Sequence, residues 1–249
     1  MRHKVKGIVL RETPKGETSK LLTVLTANLG VITVNAKGVR KISSPYLKSA
    51  QQFAFSDMLL YEKNGFYTLT EAALIADFYP IREDIKKYSL ACYLGEVASA
   101  FAVFGEESAN ILRLLLNSLY AIEKGFSSLS VIKSAFELRI CAECGYLPEL
   151  GICGECGDDI TETEFLFNPM DGIAFCRNCE RNGDENILIP VAVGKAMIHI
   201  TESDLTRFIS FRIGENDQRL LSKITERFVL SRAERGFKTL SFYKHCEEL

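Results

Sequence analysis

The cysteines are the residues whose type and spacing carry the clearest chemistry. Six of the eight lie in Cys-x-x-Cys pairs, and 19 residues separate the pair Cys153 and Cys156 from the pair Cys176 and Cys179. Two residues between cysteines place both thiolates about 3.7 Å apart, which suits tetrahedral zinc with Zn–S bonds of roughly 2.3 Å. Four thiolates leave no position for water. The spacing therefore predicts one structural Zn²⁺ ion held by these four cysteines.

The third pair, Cys141 and Cys144, leaves a second arrangement open. Only eight residues separate Cys144 from Cys153, so the first two pairs could form the site instead. Cys144 also follows Phe136 and Ile140 at four-residue steps, which favours its burial as a small apolar side chain on a helix. A redox role is disfavoured because no thioredoxin-like βαβ pattern surrounds the pair.

Five short segments with alternating apolar residues come before the cysteines and predict β-strands. They cover residues 5–11, 21–26, 31–36, 55–62 and 66–72. Asn28-Leu29-Gly30 and Lys63-Asn64-Gly65 are typical of tight hairpin connections. Five strands with local turns indicate a small closed barrel, and the polar, basic residues 37–52 are interpreted as a loop with room for one helical turn.

The apolar spacing changes after Pro80 and predicts helices. Helical patterns cover residues 81–104, 108–124, 128–144, 191–200 and 217–235, and a segment rich in cysteine, glycine and acids interrupts them. The prediction is an α+β multidomain protein. An N-terminal OB-fold β-barrel (residues 1–80) precedes an all-α helical domain (81–149 and 183–249), into which a four-cysteine zinc ribbon (150–182) is inserted.

The net charge of −2 conceals an asymmetry between the two ends of the chain. Residues 1–80 carry 11 Lys and Arg against 6 Asp and Glu, a charge of +5, whereas the remainder carries −7. The asymmetry indicates that the N-terminal part meets a polyanion, although an accidental excess on a solvated surface is the alternative. The predicted DNA-contacting cations are Lys6, Arg11, Lys20, Lys37, Arg40, Lys41 and Lys48.

Small barrels that bind oligonucleotides combine such cations with exposed aromatic rings on which bases stack. Tyr46, Phe53, Phe66 and Tyr67 are the candidates in this chain. Packing in a hydrophobic core is the competing interpretation for each of them.

No catalytic arrangement is predicted. None of the three histidines lies near a serine or cysteine in a nucleophile motif, and no glycine-rich phosphate-binding loop occurs. No apolar run reaches the roughly 18 residues of a membrane helix, and no signal-peptide pattern follows the basic N-terminus. We therefore expect a cytoplasmic protein without membrane contact or catalytic activity. An enzyme whose pocket is braced by the ribbon is the alternative.

Several short runs, taken in their order along the chain, resemble the RecO recombination-mediator family of DNA-repair proteins. The runs are KGIVLR at 6–11, GE at 16–17, LLTVLT at 21–26, GVI at 30–32, AKGVRK at 36–41, LTEA at 69–72, FELR at 136–139 and GYLPEL at 145–150. Each run is short, but their order and the inserted cysteines make the resemblance specific.

The resemblance implies an OB-fold barrel, a helical domain and a zinc ribbon whose ligands match Cys153, Cys156, Cys176 and Cys179. Cys141 lies outside the family's pattern, as does Cys144. The resemblance also implies binding of single- and double-stranded DNA, annealing of complementary strands, and a role with RecR in helping RecA to replace single-strand-binding protein. The tail of that protein would dock on the helical domain. Besides the enzyme, two alternatives remain: a zinc-containing adaptor that binds only proteins, and an RNA-binding factor.

Overall fold

The computed structural model describes residues 1–179 and 185–248 and begins with five strands. These strands are β1 (Arg2–Lys15), β2 (Ser19–Thr26), β3 (Gly30–Ala36), β4 (Phe55–Lys63) and β5 (Phe66–Ala76). They close into a barrel in the order β1-β2-β3-β5-β4, with β3 and β5 parallel and the other neighbours antiparallel. The predicted closed barrel is confirmed.

The period-two alternation of the strands builds the barrel core. Inward positions are apolar and fully buried, as Val9 on β1, Val24 on β2 and Ile32 on β3 show. The intervening positions point outward, because successive side chains of a strand lie on opposite faces of the sheet. The outward side chains of the strands can therefore make contacts on the barrel surface while the inward side chains fill the core.

A polar network joins the barrel to the first helix, α1 (Ile85–Phe101). Arg82 donates to Gln51 Oε1 at 2.8 Å and to the carbonyl of Gln52. The Gln52 side chain in turn donates to the Leu10 carbonyl at 3.0 Å and accepts from the Tyr88 hydroxyl at 2.8 Å. The long segment between β3 and β4 is therefore held between β1 and the helix.

Five further helices follow α1, and three short strands accompany the cysteines. The helices are α2 (Ala109–Lys124), α3 (Leu129–Glu143), α4 (Val191–Glu202), α5 (Glu215–Ala233) and α6 (Lys238–Glu247). The strands are β6 (Phe165–Asn168), β7 (Ile173–Cys176) and β8 (Ile187–Ile189). In the described part of the chain, no helix is both long enough and apolar enough to cross a membrane.

Two helices differ from the sequence prediction. The first begins at Ile85 instead of residue 81, because Asp84 is its N-cap and accepts from the N–H groups of Lys86 and Lys87 at 2.9 and 3.1 Å. The last helix, α6, was not predicted. Its short apolar spacing, with Leu240, Tyr243 and Cys246 buried, is too brief to stand out from the sequence alone.

The described residues form two compact units. One contains Met1–Glu123, hence the barrel with α1, and also includes α6, where the Thr239 N–H donates to Glu96 at 3.0 Å. The other, Lys124–Phe237, contains α3, α4, α5 and the cysteine segment. The three domain boundaries predicted from the sequence, after residues 80, 149 and 182, stay a prediction. The boundary between residues 182 and 183 lies outside the described residues.

A buried ion cluster links α3 to α5. Lys133 lies 2.9 Å from Glu137 and 3.2 Å from Glu226, and the Thr225 hydroxyl donates to Glu137 at 2.7 Å. Burial lowers the pKa of Lys133, but the two carboxylates raise it, and the net direction is upward. The cation is therefore retained by its partners at neutral pH.

We predict that Lys133→Met destabilises the protein by about 3–5 kcal/mol, because Glu137 would keep a buried charge without its cation. Urea unfolding followed by circular dichroism measures the loss. Lys223→Met on the exposed face of α5 is the matched control and should change stability by less than about 0.5 kcal/mol. Equal losses for the two variants would contradict the prediction.

Candidate metal centre and nucleic-acid interface

Four cysteines form the densest group of metal-ligating atoms in the described residues. The Sγ atoms of Cys153, Cys156, Cys176 and Cys179 all lie within 4.8 Å of one another. Those of Cys156 and Cys176 are 3.8 Å apart. Tetrahedral metal–thiolate geometry with bonds of about 2.3 Å requires sulfur separations of about 3.8 Å. The four residues therefore fit a metal ion.

Local backbone bonds shape the first pair of cysteines. The Cys153 N–H donates to the Asp158 carbonyl at 2.8 Å, and the Gly157 N–H returns to the Cys153 carbonyl at 2.9 Å. Gly157 has a φ of +78°, a conformation that favours glycine. The Gly154 N–H donates to the Ala174 carbonyl on β7 at 2.9 Å, which brings the first pair to the second.

Helices α4 and α5 support the cysteine segment from behind. Phe165 and Phe167 on β6 are buried, and the Phe167 ring lies 6.2 Å from the ring of Phe228 on α5. A Cβ atom at Gly194 on α4 would lie only 2.6 Å from the Phe165 ring. The cysteine segment thus shares a core with helices that follow it in sequence.

The backbone around Cys153 favours its thiolate. Burial raises the pKa of this thiol, but N–H groups of Cys156, Cys176 and Glu155 donate to it, and the net pKa is lowered to about 6. Hydrogen bonding with Cys176 raises the pKa of Cys179. A divalent metal binds thiolates and releases their protons, so this sulfur cluster suits a cation.

Cys141 and Cys144 lie outside the cluster in the part of the chain that the structure describes. Burial raises the pKa of both thiols, that of Cys144 to about 11, which keeps them protonated at neutral pH. Cys141 is fully buried, whereas Cys144 caps the end of α3 and is half-buried. The expected burial of Cys144 is therefore wrong in degree, because α3 ends one residue before it.

Three of the predicted DNA-contacting residues, Lys37, Arg40 and Lys41, follow β3 and are exposed together. Arg40 Nη1 donates to the Gly16 carbonyl in the β1–β2 turn at 3.0 Å. Val39 between them is buried in the barrel core. The burial of Val39, the side-chain bond of Arg40 and a backbone bond from the Arg40 N–H to the Thr18 carbonyl at 2.9 Å therefore hold a short run of cations on the barrel surface.

Two other predicted residues do not join this run. Lys20 is only 14% exposed, forms an ion pair with Glu12 and donates to the Ala50 carbonyl at 3.2 Å. Lys6 lies opposite Asp57 in the β1–β4 ladder. It lies just beyond the pairing of β1 with Thr26, the last residue of β2, whereas Lys20 lies near the first residue of β2. Lys20 thus links parts of the barrel to one another, and Lys6 belongs to a different surface.

The last two predicted residues, Arg11 and Lys48, are exposed. Arg11 lies on β1 opposite Thr23, and Lys48 lies in the segment between β3 and β4. A DNA contact by any of the seven cations stays a prediction.

Two grooves on the outside of the barrel meet at Phe66 and Thr68. The first has a volume of about 690 Å³, and its lining includes Lys15, Thr33 and Phe104. The second has a volume of about 430 Å³, and its lining includes Lys37, Tyr61 and Lys63. Cations therefore line both grooves, and one of these cations, Lys37, belongs to the predicted set.

The structure separates the four candidate aromatic residues. Phe53 and Tyr67 are buried and Tyr46 packs against the barrel core, whereas Phe66 is 77% exposed. The competing interpretation of core packing therefore holds for all but Phe66.

Sequence reasoning missed Tyr61, Lys63 and Phe104 as groove residues. Lys63 belongs to a hairpin that was interpreted only as a turn, and Tyr61 occupies an outward position of a predicted strand. Phe104 lies after α1, in a stretch that was assigned to a helix. The outward position of Tyr61 on its strand was the one feature of the sequence that could have indicated a surface role.

The fold and the site define a class of protein in which a closed OB-type barrel is joined to helices and to a four-cysteine centre. Residues 1–78 match the family described as Recombination protein O N terminal, and residues 82–241 match Recombination protein O C terminal. The chain therefore belongs to the RecO family of DNA-repair proteins. The resemblance noted in the sequence is confirmed.

Similar proteins cover nearly the whole chain. The DNA repair protein RecO of Acetivibrio thermocellus is 27% identical over 246 residues, which are 99% of this chain and 98% of the relative. That of Caldicellulosiruptor bescii is 30% identical, with 98% of each chain covered. That of Dehalococcoides mccartyi strain 195 is 31% identical, with 92% of this chain and 91% of the relative covered.

We predict that Cys153→Ser or Cys176→Ser removes the metal ion from the purified protein, because each loses one of four thiolate ligands. Elemental analysis of protein purified without chelator measures the metal content. Limited proteolysis should show earlier cleavage between residues 150 and 179.

Cys144→Ser is the matched control and should retain the metal. Loss of metal from Cys144→Ser, with retention in Cys176→Ser, would contradict this assignment. It would favour the alternative site built from residues 141, 144, 153 and 156.

Proposed function

We propose that this protein binds single- and double-stranded DNA through its barrel and promotes the annealing of complementary strands. The observation that carries the proposal is the exposed run Lys37, Arg40 and Lys41, whose first residue lines the smaller groove together with Lys63. Lys15 lines the larger groove, which shares Phe66 with the smaller one. Cations that neutralise phosphates release condensed counterions, which is the main source of affinity that does not depend on sequence.

Phosphate contact also accounts for annealing. Two complementary strands repel each other through their phosphates, and a cationic surface that holds both reduces this repulsion. Contacts of this kind position a strand without reading its bases. The barrel would therefore bring together strands of any sequence.

The partner proteins in this proposal follow from family resemblance. With RecR, the protein would help RecA onto DNA that is covered by single-strand-binding protein. The tail of single-strand-binding protein would dock on the helical part of the chain. This role places the protein in the cytoplasm, where bacterial DNA is repaired.

The proposed metal is one Zn²⁺ ion with a structural role. A donor set of four thiolates favours zinc among the abundant divalent ions, and it leaves no position at which a substrate or water could bind. Cys153, Cys156, Cys176 and Cys179 would hold the ion, and the aromatic residues of β6 would keep the segment on its helices. No catalytic step belongs to the proposal.

A gel-shift experiment with single-stranded DNA, duplex DNA and single-stranded RNA, run beside metal analysis, distinguishes the alternatives. Retention of both DNA forms at moderate salt supports the proposal. An adaptor that binds only proteins would retain none of the three. An RNA-binding factor would retain RNA in preference to DNA when the two compete.

We predict that Lys37→Gln, Arg40→Gln and Lys41→Gln together flatten the dependence of log K on log salt by roughly 2–3 units. Each lost phosphate contact removes about 0.9 on duplex DNA and about 0.7 on a single strand. Fluorescence anisotropy across a salt series measures the slope. The triple variant is first checked for unchanged thermal unfolding.

The matched control replaces Arg219, Lys223 and Lys238 with glutamine, since these exposed residues carry the same total charge. Its slope should equal that of the parent. If the triple variant of residues 37, 40 and 41 keeps the parental slope, those cations do not contact the phosphates.

A further inference from the structure

The larger groove has an aromatic ring at two separate places. Phe66 extends from the β4–β5 hairpin and Phe104 from the connection between α1 and α2, and both line this one groove. Phe66 is 77% and Phe104 65% exposed. Strand residues of β2 and β3, among them Leu21 and Thr33, form the groove floor. Two large apolar side chains are thus left in water at the same site.

Backbone contacts hold the segment that carries Phe104 against the β2–β3 hairpin. The Gly105 N–H donates to the Leu29 carbonyl at 3.1 Å, and the Ser108 N–H donates to the Ala27 carbonyl at 2.8 Å. A Cβ atom at Gly30 would lie only 1.9 Å from the Val103 carbonyl oxygen. Glycine at this position lets the two backbones touch, so Phe104 belongs to a built wall of the groove.

The charges of the site favour a polyanion. Lys15 lines the larger groove, and Lys37 and Lys63 line the smaller one, which shares Phe66 with it. Exposed rings beside cations form the combination by which proteins hold single strands, because bases stack on the rings while cations follow the phosphates. In a duplex, neighbouring base pairs cover both faces of each base.

We propose that Phe66 and Phe104 form a stacking site for unpaired bases and thereby make this protein distinguish single-stranded from duplex DNA. The inference rests on the proposed function, since the ligand is DNA. It adds that a residue outside the barrel, Phe104, completes the barrel's binding surface. Lys15, Lys37 and Lys63 contact the phosphates on either side of the stacked bases.

The test compares Phe66→Ala and Phe104→Ala with the parent on a single-stranded oligonucleotide and on a duplex of equal length. Each change should weaken single-strand binding about tenfold, since stacking contributes about 1–3 kcal/mol per base and 1.4 kcal/mol is a factor of ten. Duplex affinity should change less than about twofold, because no stacking is lost there. The salt slope should stay parental, because no phosphate contact is removed.

Two further variants control for folding and for general exposure of aromatic rings. Phe104→Tyr keeps a stacking ring and should bind single strands like the parent. Phe242→Ala removes an exposed ring on α6 that lines neither groove, and it should leave both affinities unchanged. Fluorescence of 2-aminopurine in the oligonucleotide should be quenched less by Phe66→Ala and Phe104→Ala than by the parent.

The outcomes separate this inference from the proposed function. If both alanine variants bind single strands as tightly as the parent does, the stacking site is overturned and the proposal of DNA binding is unaffected. Equal weakening on single strands and duplex, or a similar loss for Phe104→Tyr, also overturns it. A parent that binds no DNA overturns the proposed function as well. A parallel arm with single-stranded RNA shows whether the rings accept either nucleic acid, and RNA binding without DNA binding contradicts both.

Discussion

Closure of the barrel is the constraint on which the N-terminal surface depends. Inward side chains such as Val9, Val24 and Ile32 fill the interior, so every second position is left to face outward. Closure also pairs strands that are distant in sequence, as β3 with β5. For this reason Lys37, which follows β3, lines the same groove as the aromatic residues Tyr61 and Phe66 around the β4–β5 hairpin. The proposed interface is thus a consequence of how the core is filled.

The cysteine segment is subject to a different constraint. It must bring its sulfur atoms close enough to bind one metal ion and, at the same time, bury its aromatic side chains in a hydrophobic core. Its turns bring four sulfur atoms within 4.8 Å, while Phe165 and Phe167 on β6 are buried. Phe167 meets Phe228 on α5, so the segment is not supported by its cysteines alone. Substituting a ligand should therefore loosen the turns around the cluster more than the aromatic contacts behind it.

Lysine side chains have different roles in different parts of the chain. In the unit of α3 and α5, Lys133 is buried and its carboxylate partners neutralise it. On the barrel, Lys20 is similarly used by Glu12, whereas Lys37 and Lys41 remain exposed. Residue type alone could not separate these roles. A lysine that is committed to an internal ion pair contributes little to a polyanion surface, even when it belongs to the same basic segment.

The sequence by itself predicted the strands, most helices, the family and a four-cysteine site, because periodicity and Cys-x-x-Cys spacing are local properties that short segments express directly. It left open which two of the three cysteine pairs form that site, and the structure brings the second and third pairs along the chain together. The start of α1 at Ile85 was missed, since it depends on the cap at Asp84. Only the tertiary structure decided which cations share a surface, which aromatic residues are buried, and that Phe104 reaches a barrel groove. These features depend on contacts between residues far apart in sequence, and no local pattern records them.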